Sequence, residues 1–153
     1  MSELGDRARQ RAVDGAISDA ELVRRAVDVT SAAQAAAETR EGWKRSFMGY
    51  VGCALVTDRG NVYTGVVVNF QNGIGFCAEH AAVAEMIKHG ESRIARIAGA
   101  TAKGTPLPPC GRCRELMAQT DPDNLDTDVL LPGGVVKKLR ELLPDTWQPY
   151  WDA

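Results

Sequence analysis

Two short stretches of the chain carry residue types that could hold a metal ion and activate a water molecule. The first contains Cys77 and Glu79, and the second contains Cys110 and Cys113 directly after Pro109. Three thiolates can bind Zn²⁺ and leave the fourth tetrahedral position open for water, whereas a structural zinc site normally has four protein ligands. The sequence offers no convincing fourth ligand. These stretches therefore predict a catalytic zinc site bound by Cys77, Cys110 and Cys113.

Glu79 stands two residues after the first cysteine, where it could serve a water on the metal without being a ligand. Zinc deaminases of nucleobases have a ligand, any residue, a glutamate, and later Pro-Cys-x-x-Cys. The chain matches this order in the variant where cysteine replaces histidine as the first ligand. A lone Cys-x-x-Cys would also suit a redox pair or half of a zinc knuckle. Neither needs a third cysteine or a glutamate at this spacing, so Glu79 is the predicted proton carrier.

Each half of the metal-binding motif is predicted to begin a helix. The residues after Cys77 and after Cys113 are mostly good helix formers. A helix N-terminus favours a thiolate through the helix dipole, and a bound metal removes the thiol proton outright. Two helix N-termini are therefore the elements expected to position the ligands.

Further stretches complete a recognisable pattern around the two metal-binding ones. They are Val-Gly-Cys-Ala-Leu-Val at 51–56, Val-Tyr-Thr-Gly at 62–65 and Leu-Arg-Glu-Leu-Leu-Pro at 139–144. With them, the chain from about Ser18 onward resembles the cytidine deaminase family, in the small Cys-ligated subgroup that includes blasticidin-S deaminase. The resemblance implies a three-layer α/β/α fold with a mixed five-stranded sheet. It also implies a homotetramer whose pockets take residues from neighbouring subunits.

The resemblance implies zinc-dependent hydrolytic deamination at C4 of a free cytosine nucleoside, cytidine or deoxycytidine, with release of ammonia. Zinc would supply a water activated near neutral pH, and Glu79 would carry a proton first to ring N3 and then to the departing amine. Family members balance the charge of three thiolates with arginines. Arg114 matches one of these, and His80 stands where another is common. Either His80 is protonated beside the thiolates, or the charge is less well balanced, or His80 is an exposed residue without a role.

The residues that would bind the substrate are implied by the same resemblance. Family members bind the ribose hydroxyls through the Asn and Glu of an Asn-x-Glu motif. This chain has Val67 and Asn69 at those two positions or, if the loop before Cys77 is shorter, Asn69 and Gln71. We prefer the second alignment, because residues 69 and 71 would point to the same side of a strand. Tyr50 matches an aromatic that lines the floor of the pocket, with a core position as the alternative. Ala78 is assigned to the same pocket.

Because the ribose-binding glutamate of the family is missing, more than one substrate is compatible with the sequence. One alternative to cytidine is an antibiotic nucleoside such as blasticidin S, or a modified cytosine nucleoside. A remote alternative is a zinc-binding structural module without activity. A nucleic acid polymer is disfavoured, because 18 Lys and Arg against 20 Asp and Glu give a net charge of -2 and no basic footprint.

The rest of the chain predicts a single α/β domain. With 153 residues and 44% hydrophobic composition it can bury a core without disulfides. Residues 1–17 are expected to be a mobile leader, and 18–153 the domain. A capping-box pattern at Ser18 and Glu21 predicts a first helix that ends near Gly42.

Five strands are predicted between and after the helices. The first two are nearly continuous in apolar residues, which is typical of strands covered by helices on both faces. Cys53 lies in the first strand and is predicted to be a buried, inert thiol. Gly90 is the predicted end of the Cys77 helix, and a last helix is predicted at 138–143. The predicted strands are 50–57, 62–69, 93–100, 127–131 and 135–136.

The cysteine content and the absence of apolar runs predict the compartment. Four cysteines, three of them assigned to a metal, indicate a reducing environment. No stretch is long enough to cross a bilayer, and the N-terminus lacks the apolar core of a signal peptide. We therefore expect a cytoplasmic protein with no membrane partner. The C-terminal Trp147, Tyr150 and Trp151 are expected to pack against a neighbouring subunit or close a pocket mouth.

Overall fold

The computed structural model describes residues 17–38 and 47–146 of the chain. The leader before residue 17, the predicted helix end near Gly42 and the three C-terminal aromatics lie outside these residues. The elements within the described residues, in chain order, are α1 (Asp19–Glu38), β1 (Phe47–Thr57), β2 (Val62–Asn69), β3 (Gly75–Phe76), α2 (Ala78–Lys88), β4 (Ile94–Thr101), β5 (Pro106–Leu107), α3 (Gly111–Thr120), β6 (Asp128–Leu130), β7 (Val136–Lys138) and α4 (Leu139–Leu142).

The strands form one mixed sheet in the order β3-β2-β1-β4-β6-β7, with β5 paired to β4 outside this order. The pair β4–β6 is parallel, and the other pairs are antiparallel. The predicted α/β fold is confirmed. The described sheet has seven strands instead of the expected five, because the two-residue strands β3 and β5 lie in segments predicted to be loops. Two residues are too few to show a strand period in a sequence.

Helices cover both faces of the sheet, as predicted. Alternate residues of β1 enter different clusters, because successive side chains of a strand point to opposite faces. Cys53 and Leu55 pack in the larger cluster, beneath α2 and α3. Ala54 and Val56 pack in the second cluster with Leu22 of α1. The order of layers is therefore α1, sheet, and then α2 with α3.

The start of α1 agrees with the capping prediction, and the residue before Ser18 packs against the sheet. The backbone N–H of Glu21 donates to Oγ of Ser18 at 3.2 Å. Ile17, assigned above to the leader, is buried in the second cluster. Its carbonyl oxygen also accepts a hydrogen bond from the guanidinium of Arg96. The sequence did not predict the burial of Ile17, because a single apolar residue beside a polar segment forms no hydrophobic pattern.

A buried asparagine connects α3 to the start of β4. Asn124 is fully buried, and its Nδ2 donates to the carbonyl oxygens of Ser92 and Met117, both at 3.0 Å. Its Oδ1 accepts from the backbone N–H of Ile94 at 2.7 Å. The end of α3 is thereby joined to the start of β4. No helix in the described ranges is long and apolar enough to span a bilayer.

Candidate metal and catalytic site

The three predicted ligands come together at two helix N-termini. Cys77 is the N-cap of α2, Cys110 is the N-cap of α3, and Cys113 lies in the first turn of α3. Their sulfur atoms all lie within 4.8 Å of one another, with 3.6 Å between Cys77 and Cys110 and 3.4 Å between Cys110 and Cys113. Within the part of the chain that the structure describes, no other group of ligand residues is this compact.

The donor chemistry of this group fits a divalent zinc ion. Burial raises the pKa of Cys77, and burial with the charge of Glu79 raises the pKa of Cys113 well above its usual range. Burial would also raise the pKa of Cys110, but the backbone N–H of Cys113 and the neighbouring thiols lower it below its ordinary value. A bound cation would deprotonate all three thiols. Cys110 is exposed, so the fourth position can open to a substrate.

Glu79 lies in the first turn of α2 and is only 7% exposed. Its carboxylate projects toward the sheet, where Oε1 lies 3.6 Å from the position that a Cβ on Gly99 would occupy. Gly99 pairs with Cys53 across β4 and β1, so positions 53 and 99 share the face beneath Glu79. No described residue donates a hydrogen bond to this carboxylate. It is therefore held by packing, between the three thiols and the sheet.

Cys53 is fully buried on the sheet and is not part of the compact group of sulfurs. Burial, and then the nearby charge of Glu79, raise the pKa of its thiol well above the ordinary value. A thiol in such surroundings stays protonated and poorly reactive. This agrees with the prediction of a buried, inert cysteine.

The two residues expected to balance the thiolate charge are close to the site but have different contacts. Arg114 donates through Nε to the carbonyl oxygen of Pro109 at 2.8 Å and through a terminal nitrogen to that of Leu142 at 2.9 Å. It therefore holds the segment that leads into Cys110. Burial, and then the positive charge of Arg112, lower the pKa of His80, which favours a neutral ring. Nε2 of His80 is buried and has no partner among the described residues.

The four predicted substrate-binding residues lie in different local structures. Asn69 ends β2 and is exposed, on the strand face that Gly65 presents to α2. Gln71 is no longer in the strand but begins a 3-10 turn, so the argument that it shares a strand face with Asn69 is wrong. Tyr50 is 41% exposed, beside an irregularity in the pairing of β1. Ala78 is buried at the start of α2.

Two glycines to which the sequence analysis gave no structural role, Gly65 and Gly99, lie at close contacts near the site. A Cβ at Gly65 would lie 2.4 Å from the carbonyl oxygen of Ala78, so glycine lets α2 approach β2 closely. A Cβ at Gly99 would lie 3.3 Å from the carbonyl oxygen of Leu107, so glycine lets β5 approach β4 closely beneath Glu79. The available signal was a glycine inside an apolar strand, which often marks a close approach of another group.

Comparisons with known proteins agree with this geometry. Residues 20–126 match the model of a family described as the cytidine and deoxycytidylate deaminase zinc-binding region. A cytidine deaminase of Mycobacterium tuberculosis (strain CDC 1551 / Oshkosh) is 35% identical over 98 residues, which are 63% of this chain and 71% of that protein. One of Halalkalibacterium halodurans is 35% identical over 99 residues, 61% of this chain and 74% of that protein. The crystal structure of the Mycobacterium tuberculosis enzyme superposes with a TM-score of 0.65 at 28% identity, covering 82% of this chain and 94% of that one.

Proposed function

Because the chain belongs to the cytidine and deoxycytidylate deaminase family, whose members are zinc-dependent hydrolases, we propose that it deaminates a free cytosine nucleoside. Water would replace the amino group at C4 of cytidine or deoxycytidine, and ammonia would be released. One observation carries this proposal. Glu79 lies in the first turn of the helix that Cys77 caps, next to three sulfurs within 4.8 Å of one another.

The residues of the site have distinct roles in this reaction. Cys77, Cys110 and Cys113 would hold Zn²⁺, which supplies the activated water for attack on C4. Glu79 would accept a proton from that water, pass it to ring N3 and later deliver one to the departing amine. The burial of Glu79 keeps bulk water from its carboxylate. Arg114 would act by fixing the backbone before Cys110, through its bond to Pro109.

A second candidate substrate is a cytosine nucleoside with an altered sugar, such as the antibiotic blasticidin S. The observation that favours it is the absence of a carboxylate where the sugar would lie. On the site-facing side of β2 the candidate positions carry Val67 and Asn69. An amide can bond to a hydroxyl, but it is a weaker acceptor than a carboxylate for two ribose hydroxyls.

The test compares four substrates in parallel on the zinc-loaded protein. They are cytidine, deoxycytidine, blasticidin S and a single-stranded oligonucleotide with one cytosine, and the change in ultraviolet absorbance reports deamination. We expect turnover of at least one free nucleoside and none of the oligonucleotide. Turnover of the oligonucleotide alone would contradict the proposal, and no turnover of any of them would leave a structural zinc module.

We further propose a homotetramer and a cytoplasmic location. Large apolar side chains at the end of the sheet near the site are exposed, namely Tyr50, Ile74 and Phe76. Exposed apolar patches of this kind commonly mark subunit contacts. The four free cysteines support a reducing compartment. Sedimentation should give a tetramer at micromolar concentration, and cell fractionation should place the protein with cytoplasmic markers; a stable monomer would contradict the first proposal.

A further inference from the structure

Cys110 is the central member of the three predicted zinc ligands. Its sulfur lies 3.4 Å from that of Cys113 and 3.6 Å from that of Cys77. It is also the exposed member, whereas Cys77 is half-buried and Cys113 is fully buried. A dissolved oxidant would therefore reach Cys110 first, and it would find a second sulfur in contact with the first.

Cys110 and Cys113 also form a Cys-x-x-Cys motif at the start of a helix. Cys110 is the N-cap of α3, and Cys113 lies in the first turn of that helix. Disulfide oxidoreductases use a motif of this kind as a pair of thiols that closes to a disulfide and opens again. The two sulfurs are already neighbours, so the bond can close without rearrangement of another helix or strand.

The packing favours Cys113 over Cys77 as the partner of Cys110. Cys77 caps α2, whose first turns lie tightly against the backbone of β2 at Gly65. A bond between Cys77 and Cys110 would have to pull two separate helices together. Around Gly111, apart from its chain neighbours and the helix itself, no described atom lies within 4 Å of the position that a Cβ would occupy. The first turn of α3 therefore has room to adjust.

We propose, building on the proposed zinc-dependent function, that the metal site is a redox-sensitive switch. Hydrogen peroxide joins Cys110 and Cys113 in a disulfide, which leaves only Cys77 of the three ligands. A catalytic zinc ion is held by three protein ligands, so the ion leaves and deamination stops. A dithiol reductant opens the disulfide, and zinc can then bind again.

The oxidation is balanced by the peroxide alone. The sulfur of Cys110 attacks one oxygen of hydrogen peroxide, so that an S–O bond forms, the O–O bond breaks and hydroxide leaves. The sulfur of Cys113 then attacks that of Cys110, the S–S bond forms, and the S–O bond breaks to release a second hydroxide. The two sulfurs lose two electrons to the two oxygens of the peroxide. Each hydroxide takes one proton, from the thiols or from solvent, and leaves as water.

The first test treats the zinc-loaded full chain with a small molar excess of hydrogen peroxide. A chromogenic chelator reports the released zinc, and mass spectrometry of alkylated peptides identifies the linked cysteines. We expect the loss of one zinc per chain together with a link between Cys110 and Cys113. Dithiothreitol followed by added zinc should restore the zinc content. Retained zinc, a link between Cys77 and Cys110, or a loss that dithiothreitol does not reverse would each overturn the inference.

A matched pair of variants separates the two possible links. Cys77→Ser and Cys113→Ser each lack one predicted ligand and keep three of the four cysteines. Under the same peroxide, Cys77→Ser should form an internal disulfide, because Cys110 and Cys113 remain together. Cys113→Ser should instead accumulate a sulfenic acid at Cys110, which dimedone traps, because α3 then offers no second thiol. An internal disulfide that forms as fast in Cys113→Ser as in Cys77→Ser would refute the assigned pair.

Cys53→Ala is the control for the cysteine outside the site. Cys53 is fully buried and does not belong to the compact group of sulfurs. This variant should release zinc and form the link between Cys110 and Cys113 as the wild type does. Resistance of Cys53→Ala to peroxide would show that Cys53 takes part in the oxidation, and the switch would have been assigned to the wrong cysteines.

Turnover of cytidine separates the inference from the function on which it rests. Wild-type turnover should disappear as the link forms and return after reduction and addition of zinc. Turnover that survives in the fully linked protein would refute the switch alone. If the reduced, zinc-loaded protein deaminates no nucleoside while peroxide still releases zinc through the link, the proposed function fails and the redox behaviour of the site stands.

Discussion

The carboxylate of Glu79 is enclosed but has no fixed donor among the described residues. Its surroundings are the three thiols on one side and the Cys53–Gly99 pair of the sheet on the other. A carboxylate held in this way by packing can accept a proton and release it without breaking a permanent hydrogen bond. Such an arrangement suits a proton carrier better than a structural charge.

Glu79→Gln tests this role, because it keeps the size of the side chain but removes the proton acceptor. We expect kcat to fall by about 10² to 10⁴, the usual contribution of proton transfer by a positioned side chain. KM, zinc content and melting temperature should change far less. All four are measured on one preparation. Near-normal kcat with intact zinc would contradict the mechanism, and lost zinc would identify Glu79 as a ligand.

The assignment of the ligands can be tested with a pair of alanine variants. Cys53→Ala should retain one zinc per chain, because Cys53 lies outside the group of three sulfurs. The small cavity it leaves should cost about 1 kcal/mol of stability. Cys110→Ala should lose most of its zinc. Elemental analysis of both proteins checks this, and substoichiometric zinc in Cys53→Ala would show that the ligand set is wrong.

At the scale of elements, the site depends on how closely α2 lies on β2. A Cβ at Gly65 would be 2.4 Å from the carbonyl oxygen of Ala78 and 2.5 Å from the backbone nitrogen of Ala82. Backbone atoms of a helix cannot yield individually, so a side chain at position 65 would displace the whole of α2. Cys77 and Glu79 would move with it.

Gly65→Ala should therefore affect both stability and the metal site. Overpacking of this kind typically costs about 1–3 kcal/mol, and zinc affinity should fall because Cys77 is displaced from the other two sulfurs. Thr64→Ala is the control, since the neighbouring residue points to the other face of β2. Urea unfolding and zinc titration measure the two effects. Wild-type zinc affinity in Gly65→Ala would contradict this account of the packing.

At the scale of the whole molecule, Glu91 links the end of α2, which it follows closely in the chain, to the distant β1–β2 hairpin. Its Oε1 accepts from Nδ2 of Asn61 at 2.6 Å and from the hydroxyl of Tyr63 at 2.7 Å. Burial alone would raise the pKa of Glu91, but the hydrogen bonds from Thr57, Tyr63 and Asn61 outweigh it and hold the pKa below its ordinary value.

Glu91 should therefore make the fold sensitive to acid. Because its folded pKa is lower than its unfolded pKa, its contribution to stability is complete above the unfolded value and is lost as pH falls through the folded one. The loss should occur in the window below the ordinary range of glutamate. Urea unfolding of Glu91→Gln across pH should show a flatter decline there than wild type. Glu85→Gln, at a half-exposed position, should follow wild type. Identical curves for Glu91→Gln and wild type would contradict the linkage.

The extent of the domain is also a property of the whole molecule. We propose that residues 1–16 are not needed for the fold, whereas Ile17 is, because it packs in the cluster with α1. A chain that begins at Ile17 should keep the wild-type melting temperature and zinc content. Ile17→Ala in the full chain should cost about 1.5–3 kcal/mol, the typical value for burying such a side chain. A large loss on removing residues 1–16 would refute the proposal.

The sequence alone determined the chemistry of the site and the type of most elements. Cysteines and a glutamate at fixed spacing, each followed by good helix formers, were enough to predict the N-termini of α2 and α3 and the three sulfurs there. Apolar runs predicted β1 and β2. These features were predictable because residue type and short spacing act locally, within a turn or two of the chain.

The tertiary structure alone decided the features that depend on segments distant in sequence. Gly99 lies beneath Glu79 and beside the carbonyl oxygens of Gly52 and Leu107, which belong to two other strands, and no local sequence pattern predicts that these strands meet there. Asn124 likewise finds its partners far from its own position. The predicted end of β2 at Asn69 is confirmed, but the placement of Gln71 on the same strand face was wrong, because the polar run after Asn69 is compatible with both a strand and a turn. Strand pairing and close backbone approach are set by the packing of the whole chain, which residue types at short range do not encode.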